Sequence, residues 1–283
     1  MNRRTIGLAL GGGGARGLAH IGVLKVFERE HIPIDFMSGS SMGGIVAAAY
    51  GAGLSADALE AVALEMANPR RMMRLMDVHP LRRGLLEGKR VRAYFIEKLG
   101  LDIQFDQLRI PVALTGTDCL QGKTVILNKG SVIDAVMATC AFPGVFHAVK
   151  IDNHWLLDGG ILNNVPVNVV RGMGAQIAIA VDVTVLSRSR EIPENLEQYH
   201  RLPPIFPPLT EDLYQAALTM TSEITRIRFR ESPPDLVIHP PIPDDLSIFL
   251  GFTRAAEVIA AGESAGKQVL PEIHRLIERV ENY

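Results

Sequence analysis

The sequence predicts a single α/β domain covered by helices, and three observations carry that expectation. An apolar strand at 5–10 runs into Gly11-Gly12-Gly13-Gly14 and then a helix. A second strand at 33–38 runs into Gly39-Ser40-Ser41 and another helix. Ile177, Ile179, Val181 and Val183 then mark the clearest buried strand, at 176–183. Strands alternating with helices through tight turns are the pattern of an α/β domain.

The elements follow in order. The helix at 16–31 places Leu18, Ile21, Val23, Leu24 and Phe27 at core spacings. The one at 41–52 is rich in small residues, so it packs closely and is buried on most sides. A helix begins near Ser55 and takes that hydroxyl as its cap. A basic, Met-rich segment fills 68–92, with helix resuming at 91–99. Strands are expected at 111–117 and 124–128, a helix at 132–139, and a strand at 155–157 leading into Asp158-Gly159-Gly160. Residues 187–210 hold Pro193, Pro203, Pro204, Pro207 and Pro208, a loop or lid composition. A helix at 213–230, a strand at 236–239 and a helical stretch at 254–280, broken at Pro271, complete the chain. With no repeat and no linker composition, residues 1–283 are read as one domain, its core motifs within 5–185 and its helical, Pro-rich cover at 187–283.

Hydrophobic residues make up 47 % of the chain and charged ones 21 %, at a formal net charge of −2. That balance gives no reason to expect nucleic acid as a partner. Cys119 and Cys140 are too far apart for a metal-binding or redox pair, and both are expected as buried, reduced thiols. A reducing cytoplasm fits them, with the inner membrane surface as the place of any peripheral contact. The apolar run at 6–10 imitates a leader peptide but dissolves into glycines and Arg16. The uncharged stretch at 36–56 is long enough to cross a bilayer. Its four serines and five glycines read better as a strand, a turn and a buried helix.

Gly39-Ser40-Ser41-Met42-Gly43 fits G-x-S-x-G between a strand and a small-residue helix. Glycines two residues either side of a serine let the backbone turn sharply and lift the hydroxyl clear. At the helix N-terminus the peptide dipoles also favour developing negative charge. The consecutive glycines at 12–14 leave several N–H groups facing one space, where they could hold a phosphate or an oxyanion. Gly12 to Gly17 also fits the dinucleotide pattern G-x-G-x-x-G, with Asp35 about twenty residues on. That acid should end the second strand, whereas Asp35 starts it, and a nucleotide reading leaves the serine turn unexplained. His200, His239 and His274 follow Asp158, but none sits in a motif that suggests a general base. Asp158-Gly159-Gly160 is the better partner for the serine, its glycines allowing close approach of backbone and substrate.

Taken together and in this order, G-G-G-x-R-G at 12–17, G-x-S-x-G at 39–43 and D-G-G at 158–160 resemble the signatures of the patatin-like phospholipase family. Ala141-Phe142-Pro143-Gly144-Val145-Phe146 and Asn163-Asn164-Val165-Pro166-Val167 extend the likeness, which is to bacterial members and to the catalytic domain of neuropathy target esterase. The resemblance implies a three-layer α/β/α fold with a mainly parallel central sheet, and neither metal nor cofactor. It implies Ser41 as nucleophile, Asp158 as its base, and Gly12, Gly13 and Gly14 as the oxyanion hole. Arg16, Gly17, Gly39, Gly43, Gly159 and Gly160 complete the motifs. Gly11 departs from the plant members, which carry an aspartate there. The implied substrates are phospholipids, lysophospholipids or other fatty-acyl esters.

Arg16 has two readings, facing a lipid phosphate or anchoring its loop by pairing with a carboxylate. Two other functions stay open here: a dinucleotide-binding protein, and a non-catalytic regulator that binds lipid. The segment at 68–92 carries eight basic residues against two acidic ones, interleaved with Met72, Met73, Leu75, Met76, Leu81, Leu85 and Leu86. It reads either as a solvated basic helix or as a contact with an anionic membrane.

Overall fold

The computed structural model describes residues 3–77, 86–184, 208–249 and 251–278. From the N-terminus come β1 (Ile6–Leu10), α1 (Ala19–Arg29), β2 (Phe36–Gly39), α2 (Ser41–Gly51), α3 (Ala56–Met66), α4 (Pro69–Leu75) and α5 (Lys89–Leu99). The middle of the chain forms β3 (Val112–Asp118), β4 (Lys123–Leu127), α6 (Val132–Thr139), β5 (Val149–Ile151), β6 (His154–Asp158), α7 (Gly160–Asn163), α8 (Val167–Met173) and β7 (Ile177–Val181). Last come α9 (Pro208–Glu231), β8 (Leu236–Ile238) and α10 (Ala255–Glu278).

Side-chain alternation divides the sheet into two unlike faces. Ile6, Leu8 and Leu10 of β1 and Ile177, Ile179 and Val181 of β7 join the larger core, together with buried residues of α1, α2, α3, α6 and α10. The intervening Ala9, Ala178 and Ala180 face the other way. Being small, they let α8 lie close on the sheet through Val167 and Val170, with Phe229 of α9 beside it. The result is a three-layer α/β/α domain. Phe27 of α1 is fully buried in the larger core, a burial that contributes about 2–3 kcal/mol.

The sheet is mainly parallel: β1 pairs with β2 and β7, β2 with β3, and β7 with β8 in that sense. The antiparallel pairs are β3 with β4, β3 with β6, and β5 with β6. Their register positions the site. Leu114 pairs with Gly39 of β2 and with Leu127 of β4, while Gly116 pairs with Asp158 of β6 and with Val125 of β4. A strand residue has two edges, so β2 and β6 share the edge of β3 opposite β4. The last residue of β2 and the last of β6 therefore meet across a two-residue step of β3.

Local chemistry sets several boundaries. The Ser55 hydroxyl accepts the Ala58 N–H and caps α3 as expected. Ser131 caps α6 in the same way, and Asn68 with Pro69 starts α4. The first turn of the expected helix at 16–31 is instead a tight 3-10 turn, Gly14–Leu18, and α1 begins at Ala19. The expected break at Pro271 is absent, and α10 continues through it. Pro271 is exposed, so water can take the carbonyl its missing N–H leaves open. Cys119 is exposed rather than buried, and Cys140 is half-buried. The proline-rich residues up to 207 and the basic residues 78–85 lie outside the described residues.

Candidate active site

Ser41 stands where β2 turns into α2, and its backbone is left-handed, φ 51°. A non-glycine residue is strained there by about 1–2 kcal/mol. The flanking glycines show why the turn holds. A Cβ at Gly43 would lie 2.2 Å from the Leu10 carbonyl oxygen, and one at Gly39 would lie 2.5 Å from the Gly43 carbonyl oxygen. The strand end and the first turn of the helix are thus in backbone contact, which only glycine permits. The Ser41 N–H is held by Thr139 Oγ1 at 3.0 Å. Thr139 is fully buried at the end of α6, and its carbonyl accepts the Gly159 N–H at 3.4 Å. One threonine therefore touches the chain on both sides of the site.

Asp158 ends β6 and is 3 % exposed. Its Oδ1 accepts the Gly160 N–H at 2.8 Å, while Oδ2 is buried with no aligned partner among the described residues. Burial lifts the carboxyl pKa from 3.8 to about 6, and the neighbouring Ser41 hydroxyl and Gly160 N–H pull against that rise. The hydroxyl and the carboxylate are adjacent but not tightly aligned.

The glycine loop closes over the serine. A Cβ at Gly12 would lie 3.1 Å from Ser41 Cβ. The expectation of three free N–H donors needs a correction. Gly12 N–H donates to the Asn164 carbonyl at 3.2 Å, and Asn164 Nδ2 returns a bond to the Gly12 carbonyl at 3.3 Å. No described group accepts from Gly13 or Gly14 N–H. Beneath the loop, His20 is fully buried with Nε2 2.7 Å from the Gly11 carbonyl, and burial pushes its pKa down to about 4. It is a neutral support.

Arg16 is buried and donates from Nε to the Val183 carbonyl and from Nη1 to the Pro243 carbonyl, each at 2.9 Å. Both bonds hold the glycine loop to distant backbone carbonyls. Asp35 accepts the Ile6 N–H at 2.7 Å and is held by Arg3 at 2.6 and 2.7 Å, at the start of β1. That is one strand length, about 17 Å, from the glycine loop, so the dinucleotide reading loses its ribose-binding acid.

Ser41, Asp158, Arg16, Asn164 and the glycines at 12–14 line a cavity of about 670 Å3. Its walls are apolar, from Phe142 and Val145 after α6, Leu162 of α7, Met220 and Ile224 of α9, and Phe249. Arg16 and Asp158 are the titratable residues among its lining. His239 and His274 do not line it, and His200 lies outside the described residues. Thr139, Asn164 and His20 were not singled out from the sequence. Their roles depend on contacts across long stretches of chain, although Asn164 lies within a motif noted for its resemblance.

A three-layer α/β fold with a strained serine at a strand–helix elbow beside a buried aspartate defines a class of protein. A profile of the patatin-like phospholipase family matches residues 8–171. The chain belongs to that family. An uncharacterized NTE family protein of Mycobacterium bovis is 36 % identical over 179 residues, 63 % of this chain and 49 % of that one. The lysophospholipase nte1 of Aspergillus fumigatus is 28 % identical over 289 residues, 95 % of this chain and 18 % of that one. This chain thus spans half or less of the length of these curated relatives. The crystal structure of VipD from Legionella pneumophila is 13 % identical with a TM-score of 0.48, covering 96 % of this chain and 67 % of that one, too distant a likeness to carry more.

Proposed function

We propose that this chain is a serine acyl hydrolase that cleaves fatty-acyl esters of the phospholipid or lysophospholipid type. The observation that carries the reading is a strained Ser41 beside a buried Asp158, whose pKa is lifted to about 6, on the wall of an apolar cavity. An aspartate of ordinary acidity is a weak base towards a hydroxyl. Burial makes this one more basic and still leaves it mostly ionised at neutral pH.

In the first step Asp158 Oδ2 takes the hydroxyl proton as Ser41 Oγ bonds to the ester carbonyl carbon. The oxyanion lies against the N–H groups of Gly13 and Gly14, next to the N-terminus of α2. Collapse breaks the ester bond, the alcohol leaves with the proton from Asp158, and the acyl group stays on Ser41. Water, deprotonated by the same carboxylate, attacks the acyl-enzyme and releases the fatty acid. The apolar walls suit an acyl chain. With Arg16 bonded to backbone carbonyls, no other described cation lines the cavity for a lipid phosphate, which points to a head group lying outside it.

Contact with an anionic surface through 68–92 belongs to the same reading. Its support is α4, which has no buried residue and leaves Met73 69 % exposed between arginines. No helix among the described residues is long and apolar enough to cross a membrane.

The test is hydrolysis of lysophospholipid and phospholipid by the chain and by Ser41→Ala. Release of fatty acid that Ser41→Ala abolishes supports the proposal. Lipid binding without any release points instead to a non-catalytic lipid-binding role.

A further inference from the structure

We propose that α9 is the lip by which the cavity meets a layer of packed acyl lipids, with Leu213, Met220 and Ile227 resting in that layer. The proposal deepens the acyl-ester reading and rests on it. Leu213, Ala217, Met220, Ile224 and Ile227 recur at the spacing of one helical stripe. Ala217 and Ile224 are half-buried and line the cavity. Leu213, Met220 and Ile227 are 63 %, 59 % and 43 % exposed. Leu213 and Met220 also line the cavity, so they are both its wall and the outer surface. The cavity therefore opens beside them.

From Leu213 to Ser222 the helix carries no charged residue, and beyond it Arg226 pairs with Glu223 and Arg228 with Glu231. An uncharged run with a large apolar stripe, ending in charged groups, suits a helix lying at the boundary between acyl chains and head groups. A lipid layer is favoured over a second copy of the chain by the continuity of the stripe with the cavity. An acyl chain drawn along it stays against apolar groups from the layer to Ser41, whereas a second protein seated there would cover the entrance.

The test uses vesicles of phosphatidylcholine. Ile227 does not line the cavity, so hydrolysis of a soluble short-chain ester by Ile227→Glu checks that fold and site are intact, and Ile227→Gln is a milder second variant. In the Ser41→Ala background, Ile227→Glu should weaken cosedimentation about tenfold, because a charge would enter the acyl region. With Ser41 present it should slow hydrolysis of vesicle lipid while leaving the soluble ester unaffected. High salt should change this binding little, unlike contact through the arginines of 68–92. Unchanged binding by both Ile227 variants and by Met220→Glu would overturn the proposal. So would dimers that Ile227→Glu splits, in a chain that binds no vesicle. Binding that depends on Ile227 in a chain that cleaves no ester would keep the surface and remove the hydrolase reading.

Discussion

Asp158 is held where ionising it is unfavourable, and this has consequences that can be measured separately. Its folded pKa, about 6, lies above the ordinary 3.8. The protonated form therefore favours the fold, and that stability is lost as pH rises from about 4 through 6. A lift of this size corresponds to about 3 kcal/mol at neutral pH. Asp158→Asn should be inactive yet melt higher than the parent chain at pH 8, with the gap closing near pH 4. A lower melting temperature at pH 8 would show that the carboxylate stabilises the fold. In the proposed mechanism the sign is opposite, because the base must be ionised, so kcat/KM should rise with pH through about 6. Ser41→Ala should lose activity as completely, and the double variant should be scarcely worse than either single one.

Thr139 is the other residue-scale device. Thr139→Val would leave the half-buried Ser41 N–H without this acceptor, at a cost of about 1 kcal/mol, and would loosen a turn already strained. We expect kcat to fall about 100-fold with KM nearly unchanged, and Thr139→Ser to restore most of the rate. Equal losses in the valine and serine variants would mean that the hydroxyl is not what matters.

At the scale of elements, the site is made where β2 and β6 meet along one edge of β3, under a glycine loop pinned by Arg16. Arg16→Lys cannot reach both the Val183 and Pro243 carbonyls from one ammonium in the same geometry. It should lower the melting temperature and kcat together, and normal values of both would show the anchor to be dispensable. Much of this scale was legible in the sequence, because glycine clusters at strand ends have few other uses and apolar runs at 5–10 and 176–183 have few other homes. Ser41 and Asp158 could be paired because each lay in a motif. Thr139 could not, since a buried threonine at a helix end looks like any other until the fold brings it to Ser41. No helix is expected at 167–173 from the sequence, since valines are weak helix formers, whereas burying Val167 and Val170 against the alanine face decides the matter. The paired bonds between Gly12 and Asn164 span 152 residues and left no local trace. The break expected at Pro271 applied a general rule where exposure relaxes it.

At the scale of the molecule, the alanine face and the bulky face of one sheet let helices pack at different depths, and the cavity lies where α7, α9 and the segment after α6 converge over the strand ends. In the proposed reaction that arrangement gives an apolar substrate a route to a polar centre. If His239 and His274 stand outside the mechanism, as their absence from the cavity lining indicates, replacing either by alanine should leave most of the activity. A thousandfold loss at one of them would restore a triad. The central claim, that Ser41 is a nucleophile activated by Asp158, is tested most directly with a fluorophosphonate ester and peptide mass spectrometry. The account predicts one adduct, on the peptide carrying Ser41, forming faster as pH rises through about 6 and nearly absent in Asp158→Asn. Undiminished labelling in Asp158→Asn, or ester hydrolysis by a chain whose Ser41 stays unlabelled, would contradict it.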